Sequence, residues 1–180
     1  MMLSEEENIK KYLESVIRTI PDFPKPGIQF KDITTLLSDK KALQLTTQAL
    51  CDPYHNSDCD IVVGLESRGF LFGTNMSEVL NASFVPVRKP GKLPSETISE
   101  SYDLEYGTDS LEIHKDAIKE GDRVIIHDDL IATGGTAFAA SKLVKRLGGV
   151  VIGYSFIIEL GFLKGREKLD HEIIESVLIM

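Results

Sequence analysis

Short apolar segments alternate with segments of helical periodicity between residues 60 and 158, and this alternation restricts the fold more than any other feature of the chain. Strands separated by helices form a parallel sheet with right-handed crossovers and helices on both faces. We therefore predict an α/β fold with a central, mainly parallel sheet flanked by helices. Its strands are predicted at Asp60–Leu65, Phe84–Arg88, Arg123–His127 and Val150–Ile158, and its helices at Phe70–Leu80 and Thr136–Leu147.

The first fifty residues predict two further helices and a stiff connection. Ser4 and Glu7 have the spacing of a capping box, and apolar residues follow at helical spacing up to a predicted end at Pro21. The segment Pro21–Phe30 contains three prolines and a glycine, which indicates an extended connection rather than a regular element. A second helix is predicted from a cap at Ser38 or Asp39 to about Leu50.

The segment Lys89–Asp116 is polar in its first part and alternates apolar and polar residues in its second. The alternation lies on both sides of Gly107 and Thr108, which predicts a β-hairpin beneath a mobile tip. A long loop with no element of its own is usually functional or disordered.

Composition excludes several classes of protein. The 180 residues suit a single domain, 42% of them are hydrophobic, and no run of eighteen apolar residues predicts a membrane span. A formal net charge of -8 argues against a nucleic-acid-binding protein. The N-terminal residues lack the apolar region of a signal peptide. The only cysteines, Cys51 and Cys59, suit reduced thiols, so we expect a cytoplasmic protein.

The turn Thr133–Thr136 is the first candidate site. It opens a helix whose first turn contains no acidic residue, and the free amides and positive dipole of a helix N-terminus attract anions. The spacing of its glycines fits neither a Walker loop nor a dinucleotide fingerprint, and GLESRG (Gly64–Gly69) misses the spacing of a nucleophile elbow by one residue. On the turn alone, an ordinary strand-to-helix connection is an equal alternative to a phosphate site.

Asp128 and Asp129 precede this turn, at the carboxyl end of the predicted strand. Ligands of parallel sheets bind beyond that end. Two ionised carboxylates can accept hydrogen bonds from the vicinal hydroxyls of a ribose whose 5′-phosphate occupies the turn. A magnesium site and a simple capping role are the alternatives.

The stretch VIIHDDLIATGGTA (Val124–Ala137) resembles the phosphoribosyl-pyrophosphate motif of type I phosphoribosyltransferases, in the form found in the adenine phosphoribosyltransferase family. The resemblance covers essentially the whole chain. Five further segments resemble family segments in the same order: IPDFPKPGIQFKDIT (Ile20–Thr34), VVGLESRGFLFG (Val62–Gly73), VPVRKPGKLP (Val85–Pro94), SYDLEYG (Ser101–Gly107) and LKGREKL (Leu163–Leu169).

The resemblance implies a type I phosphoribosyltransferase fold in one domain over residues 1–180. A small N-terminal hood, about residues 1–37, would carry base recognition, and a mobile loop would carry catalysis. The implied activity is purine salvage: transfer of the 5-phosphoribosyl group from phosphoribosyl pyrophosphate to adenine, giving AMP and pyrophosphate. Mg²⁺ bound mainly through phosphoribosyl pyrophosphate, and a homodimer, are also implied.

Site residues carried over from the family fall into three groups. Asp128 and Asp129 would bind the ribose hydroxyls. The remaining residues of the ribose 5-phosphate group would wrap its phosphate: Ala132, Thr133, Gly134, Gly135 and Thr136. The pyrophosphate group would consist of the loop Glu66, Ser67 and Arg68, with a non-proline cis peptide bond, and of the cations Arg88, Lys89 and Lys92.

The third group concerns adenine. The hypoxanthine-guanine relatives have an aspartate where this chain has Ala132, and alanine cannot transfer a proton, so the family assigns that role to Glu105. Its neighbour Tyr106 is a further substrate-binding candidate. Phe30 would stack on the adenine ring, with the backbone around Gln29 and Lys31 reading its edge. His127, next to the aspartates, is expected to be structural.

Two rival functions remain open at this point. One is a regulator of the same fold that senses phosphoribosyl pyrophosphate without catalysis, which would need a nucleic-acid-binding module or a basic face. The other is a related enzyme for another base. A retained Glu105 and the negative net charge favour the enzyme over the regulator.

Overall fold

A computed structural model describes residues 4–104, 107–170 and 173–180. The chain divides into two compact units, Met1–Ala49 and Leu50–Met180. Within the described residues, no helix combines the length and the apolar composition needed to cross a membrane. The prediction of a single domain stays a prediction.

The first unit starts with helix α1 (Glu5–Val16), and its capping box is confirmed. The Ser4 hydroxyl accepts from the Glu7 amide at 3.1 Å, and the Glu7 carboxylate accepts from the Ser4 amide at 2.8 Å. Strands β1 (Arg18–Pro21) and β2 (Gln29–Asp32) pair antiparallel. Helices α2 (Thr34–Ser38) and α3 (Lys40–Cys51) follow.

Two boundaries in this unit were predicted wrongly. Helix α1 ends at Val16 instead of Pro21, because Ile17 is extended and residues 18–21 pair with β2. The connection predicted over Pro21–Phe30 overlaps both strands at its ends, because this long-range pairing overrides the local proline signal. The predicted cap before α3 is confirmed at Asp39, whose carboxylate accepts from the Ala42 amide at 2.8 Å.

Asp32 ties the end of β2 to both neighbouring elements. Its Oδ2 atom accepts from Arg18 Nε at 3.1 Å, and its Oδ1 atom accepts from the Thr34 amide at 2.9 Å and the Thr34 hydroxyl at 2.7 Å. The hydrogen bonds from Arg18, and then those from Thr34, lower the pKa of Asp32 to about 2. This carboxylate therefore stays ionised at neutral pH and fixes the ribbon that carries Gln29, Phe30 and Lys31.

The described part of the second unit contains a five-stranded parallel sheet of order β4-β3-β7-β8-β9. The predicted alternation of strands and helices is confirmed. The five strands are β3 (Ile61–Leu65), β4 (Ser83–Val87), β7 (Arg123–Ile131), β8 (Val150–Glu159) and β9 (Ile174–Ile179). Helix α4 (Gly69–Val79) lies between β3 and β4 in the sequence, and helix α5 (Gly135–Arg146) lies between β7 and β8. Short 3₁₀ helices lie at Asp52–Tyr54, Gly161–Leu163 and Gly165–Lys168. Sequence periodicity did not predict β9, because Glu175 and Ser176 interrupt its apolar residues.

Helices cover both faces of this sheet. Val63 and Ile126 belong to a buried cluster with Leu143 and Val144 of α5. Successive residues of a strand face opposite sides of the sheet, so His127 faces away from α5. Helix α4 covers that second face, because a Cβ placed on its Gly73 would lie 3.5 Å from the His127 ring. The three-layer arrangement of the type I phosphoribosyltransferase fold follows.

Strand β7 is longer than predicted, and this changes the place of the two aspartates. Its pairing with β3 ends at His127, opposite Gly64, but its pairing with β8 continues to Ile131, opposite Glu159. Asp128 and Asp129 therefore lie within the strand, not in the loop after it. Because β3 is shorter, the loop that follows β3 can reach the part of β7 that lies beyond their pairing.

The predicted hairpin is confirmed as strands β5 (Thr97–Leu104) and β6 (Gly107–His114). Its base is held against α5, since Arg146 donates to the Ser99 carbonyl at 2.7 Å and both Arg146 and Lys142 pair with Glu100 at 3.1 Å. The catalytic and substrate-binding candidates Glu105 and Tyr106 lie outside the described residues.

Candidate active site

The turn before α5 brings backbone amides to the edge of a small cavity. Gly134 has a φ of +77°, a conformation that strongly favours glycine, and it is the N-cap of α5. In the described part of the chain, no side chain caps this helix end. The cavity has a volume of about 200 Å³, and its lining includes all five predicted phosphate residues (Ala132, Thr133, Gly134, Gly135 and Thr136) together with Asp128.

Asp128 and Asp129 are held in a low-dielectric environment. Burial raises the pKa of Asp128 well above its usual value, and the charge of Asp129 raises it further. Burial also raises the pKa of Asp129, which is 3% exposed, although Arg68 opposes the shift through a 3.0 Å contact between its Nε atom and Oδ2. The Asp129 amide donates to Asp128 at 2.9 Å. The pair can thus accept hydrogen bonds from a diol beside the phosphate-binding turn.

The loop Glu66–Arg68 has the predicted non-proline cis peptide bond, between Glu66 and Ser67. Ser67 is exposed. The loop lies close to β7 because α4 begins with Gly69, where a Cβ would lie 2.8 Å from the His127 carbonyl oxygen and 3.1 Å from Asp128 Oδ1. This close approach places Arg68 beside Asp129.

Glu66 joins the three predicted pyrophosphate cations. Its carboxylate accepts from Lys92 Nζ at 2.5 Å, from the Lys89 amide at 2.7 Å and from Arg88 Nε at 3.3 Å. Burial alone raises the pKa of Glu66, but these three hydrogen bonds together outweigh burial, so the pKa lies below its usual value. Glu66 therefore stays ionised and holds the cationic groups of Arg88 and Lys92 together with the backbone of Lys89.

The side chain of Lys89 makes a second connection. Its Nζ atom lies 3.0 Å from Asp109 Oδ2 on β6, and the Tyr102 hydroxyl of β5 donates to the same oxygen at 3.4 Å. Arg88 also exchanges backbone hydrogen bonds with Glu112 of β6 at 2.9 and 2.7 Å. The hairpin is therefore linked directly to the cation cluster, through Asp109 near its turn and Glu112 nearer its base, a link that the sequence did not reveal.

The adenine candidates lie on β2, within the first unit. Gln29 is exposed, and the Phe30 ring meets the half-exposed Phe23 ring edge-on, with centroids 5.1 Å apart. Lys31 donates from its Nζ atom to the Thr19 hydroxyl at 3.1 Å. The Lys31 side chain thus braces the ribbon, while the backbone role predicted for this segment stays a prediction.

His127 is buried, as a structural residue should be. Its Nδ1 atom lies 2.9 Å from the Ser155 carbonyl oxygen, and burial lowers its pKa to about 4. The ring is therefore neutral at physiological pH and does not add positive charge beside Asp128.

Two features behind the turn that begins α5 were not predicted from the sequence. A Cβ placed on Gly134 would lie 2.2 Å from the Gly165 carbonyl oxygen, and the buried Glu159 forms an ion pair with the half-exposed Arg166. Both features involve the segment LKGREKL (Leu163–Leu169), which contains Gly165 and Arg166 and which resembles a family segment. Its role could not be predicted, because it depends on contacts with residues distant in sequence.

Comparison with known proteins identifies the family. A family model of the phosphoribosyl transferase domain matches residues 35–174. The adenine phosphoribosyltransferase of Alkaliphilus metalliredigens is 58% identical over 92% of this chain and 98% of its own length. This chain belongs to the adenine phosphoribosyltransferase family.

Solved structures of adenine phosphoribosyltransferases share its fold. The enzyme from Rhodothermus marinus superposes with a TM-score of 0.93 at 52% identity, covering 97% of this chain and 99% of that one. The Saccharomyces cerevisiae enzyme, in complex with an imino-altritol bisphosphate and adenine, has a TM-score of 0.90 at 42% identity, covering 96% of this chain and 99% of that one.

The contact of Gly134 with Gly165 predicts that Gly134→Ala weakens phosphate binding. The new methyl group must displace the turn, so we expect the affinity for ribose 5-phosphate, measured by calorimetry, to fall about tenfold, the equivalent of one good hydrogen bond. Gly121→Ala is the matched control, since Gly121 also has a positive φ, of +87°, but open space around it.

Gly121→Ala should cost about 1 kcal/mol of unfolding free energy through backbone strain and leave the affinity unchanged. Equal affinities in Gly134→Ala and the unmodified protein would refute the steric argument.

Proposed function

We propose that this protein transfers the 5-phosphoribosyl group from phosphoribosyl pyrophosphate to adenine, releasing AMP and pyrophosphate in purine salvage. One observation carries the proposal: the amide-lined turn Ala132–Thr136 shares one cavity with Asp128, which matches a ribose 5-phosphate. The family relationship supplies the base, since the relatives described above are adenine phosphoribosyltransferases.

The ribose 5-phosphate is held from two sides. The phosphate accepts from the amides and threonine hydroxyls of the turn, where the helix dipole favours negative charge. Asp128 and Asp129 accept from the ribose hydroxyls, which would bring their carboxylates near the carbon at which positive charge develops as the bond to pyrophosphate breaks. Charge stabilisation in a preorganised site supplies much of such a rate enhancement.

The pyrophosphate leaving group is assigned to the cations Arg88, Lys89 and Lys92. Glu66 contacts the cationic groups of Arg88 and Lys92 and the backbone amide of Lys89 at 2.5–3.3 Å. The Lys89 ammonium is held by Asp109 at 3.0 Å, so the positions of all three residues are set before substrate binds. Pyrophosphate competes with Glu66 and Asp109 for these donors. Preorganised positive charge favours departure of the anion.

Mg²⁺ is proposed as the cofactor, bound mainly through pyrophosphate oxygens. The described residues include no cluster of three or more histidine, cysteine or acidic side chains able to hold a metal, and Asp129 is already paired with Arg68. This fits a metal carried in by the substrate better than a metal held by the protein. Bound there, the ion would neutralise charge on the leaving group.

Proton transfer at adenine N7 is assigned to Glu105 as the hairpin closes over the base and excludes water. Ala132 carries no ionisable group, so the phosphate turn cannot perform this step. The yeast relative bound to adenine supports the choice of base. Phe30, Gln29, Lys31 and Tyr106 are the residues proposed to recognise it.

A homodimer and a cytoplasmic location complete the proposal. Leu71 and Val79, on α4, are 42% and 49% exposed, which suits a partner subunit on that helix. Cys51 and Cys59 are both free thiols, as expected in a reducing compartment, which cell fractionation can check.

A substrate panel tests the activity. With phosphoribosyl pyrophosphate and magnesium, adenine should give AMP, detected by chromatography, and chelation of magnesium should stop turnover. Guanine, hypoxanthine and orotate should react far more slowly. Faster turnover of any of them would overturn the assignment of the base, and turnover undiminished by chelation would exclude the metal.

Replacement of Glu105 tests its catalytic role. Glu105→Gln keeps the shape of the side chain but removes proton transfer, so kcat should fall about a hundredfold or more. Glu120→Gln, at an exposed turn, is the control and should leave kcat unchanged. An undiminished kcat in Glu105→Gln would remove Glu105 from the mechanism and reopen the non-catalytic, sensing alternative.

The α4 surface tests the oligomeric state. Light scattering should give a dimer mass for the unmodified protein, and Leu71→Glu should lower it because a charge would be buried at the interface. Val150→Glu, at an apolar position that is 51% exposed on β8, should keep the dimer. A monomer mass for the unmodified protein would exclude the dimer.

A further inference from the structure

The phosphate-binding turn rests against a second segment of backbone. Gly165 is buried, and a Cβ placed on it would lie 2.2 Å from the Ala132 carbonyl oxygen and 2.9 Å from the Gly134 nitrogen. In the other direction, a Cβ on Gly134 would lie 2.2 Å from the Gly165 carbonyl oxygen. Neither glycine leaves room for a side chain, so a shift of Gly165 changes the space that the turn occupies.

The segment that carries Gly165 has little regular structure of its own. It consists of two short 3₁₀ helices, Gly161–Leu163 and Gly165–Lys168, around Lys164, which has a φ of +52°. The backbone hydrogen bonds from the amides of Leu163, Lys164 and Glu167 reach only three residues back along the chain. The start of the segment is tied to β7 by the hydrogen bond from the Leu160 amide to the Ile131 carbonyl oxygen (3.0 Å) and to the C-terminal residue by that from the Gly161 amide to the Met180 carbonyl oxygen (3.1 Å). Both bonds lie before Lys164, so they do not act on Gly165 directly.

An ion pair next to Gly165, buried at Glu159 and half-exposed at Arg166, adds a further anchor. Arg166 donates from Nε to Glu159 Oε1 at 2.8 Å and from Nη2 to Oε2 at 2.6 Å, and the Ser176 hydroxyl of β9 donates to Oε2 at 2.8 Å. Paired, bidentate hydrogen bonds between arginine and carboxylate are strong and fix geometry. Arg166 follows Gly165 directly, so the pair fixes the position of that glycine.

The charges of this pair persist over a wide pH range. Glu159 is 3% exposed, yet the hydrogen bonds from Arg166 lower its pKa against the opposing effect of burial. Glu159 ends β8 and lies opposite Ile131, the last residue of β7. The ion pair therefore connects the end of the sheet to the segment behind the turn.

We infer that Glu159 and Arg166 are positioning residues for ribose 5-phosphate: their ion pair holds Gly165 against Gly134, and so maintains the turn geometry that binds the phosphate. The inference rests on the proposed function. Neither side chain needs to touch the substrate. The pair acts on the phosphate side of the site, so its loss affects phosphoribosyl pyrophosphate and not adenine.

Kinetics of Glu159→Gln provide the first test. We expect the KM for phosphoribosyl pyrophosphate and the Kd for ribose 5-phosphate to rise about tenfold, as for loss of one charge-assisted hydrogen bond. The KM for adenine and the kcat at saturation should stay within about twofold, since the reacting groups are untouched. Glu96→Gln, which breaks an exposed 3.0 Å ion pair with Lys115, is the matched control and should change none of these values.

Two further variants separate positioning from general damage to the fold. Arg166→Met combined with Glu159→Gln should weaken ribose 5-phosphate binding no more than the stronger single variant, because both remove one interaction. Gly165→Ala keeps the ion pair but forces the turn away, so it should reproduce the same selective rise. Circular dichroism and urea unfolding identify any variant that fails to fold.

Each result of these experiments either supports or overturns the inference. An unchanged Kd for ribose 5-phosphate in folded Glu159→Gln overturns the inference, as do equal rises in both KM values. If Glu159→Gln does not fold, an unchanged Kd in Gly165→Ala overturns it instead. Failure of the unmodified protein to make AMP refutes the proposed function, and the inference with it. An active protein with unaffected variants refutes the inference alone.

Discussion

Burial of two adjacent carboxylates on the central strand is the constraint on which the rest of the site depends. Burial raises the cost of ionising both carboxylates, the charge of Asp129 adds to that cost at Asp128, and Arg68 offsets part of the cost at Asp129 through its contact with that residue. That contact requires the loop after β3 to lie directly on β7, which in turn requires glycine at position 69. A diol-binding pair, an arginine and a tight helix start are thus parts of one arrangement.

The turn that begins α5 likewise depends on a close backbone contact with a distant segment. An uncapped helix end attracts anions only while its amides converge, and the backbone around Gly134 is packed against Gly165 with no space for a side chain. Both halves of the candidate site therefore depend on glycines for close approach, and the turn at Gly134 depends on glycine for conformational freedom as well. Neither half would form from the local sequence without its distant partner.

The sequence predicted what local patterns determine. The capping box at Ser4, the alternation of strands and helices and the glycine turn that begins α5 are all encoded within a few neighbouring residues. The extension of β7 past His127 depends on pairing with β8, and strand β9 has an interrupted pattern. The pairing of Glu66 with Lys92, 26 residues away, leaves no mark in local periodicity. Family resemblance located Glu66 and the predicted pyrophosphate cations but not the contacts between them.

Glu66 has a consequence for ligand exchange. Its ionised carboxylate already saturates part of the hydrogen-bonding capacity of Arg88 and Lys92, so an arriving polyanion gains only the difference between its own contacts and those it replaces. When the polyanion departs, the Glu66 carboxylate forms its hydrogen bonds with Arg88 and Lys92 again, so these cations remain paired. An internal competitor of this kind lowers affinity and shortens residence time, which favours repeated turnover over tight storage of the product.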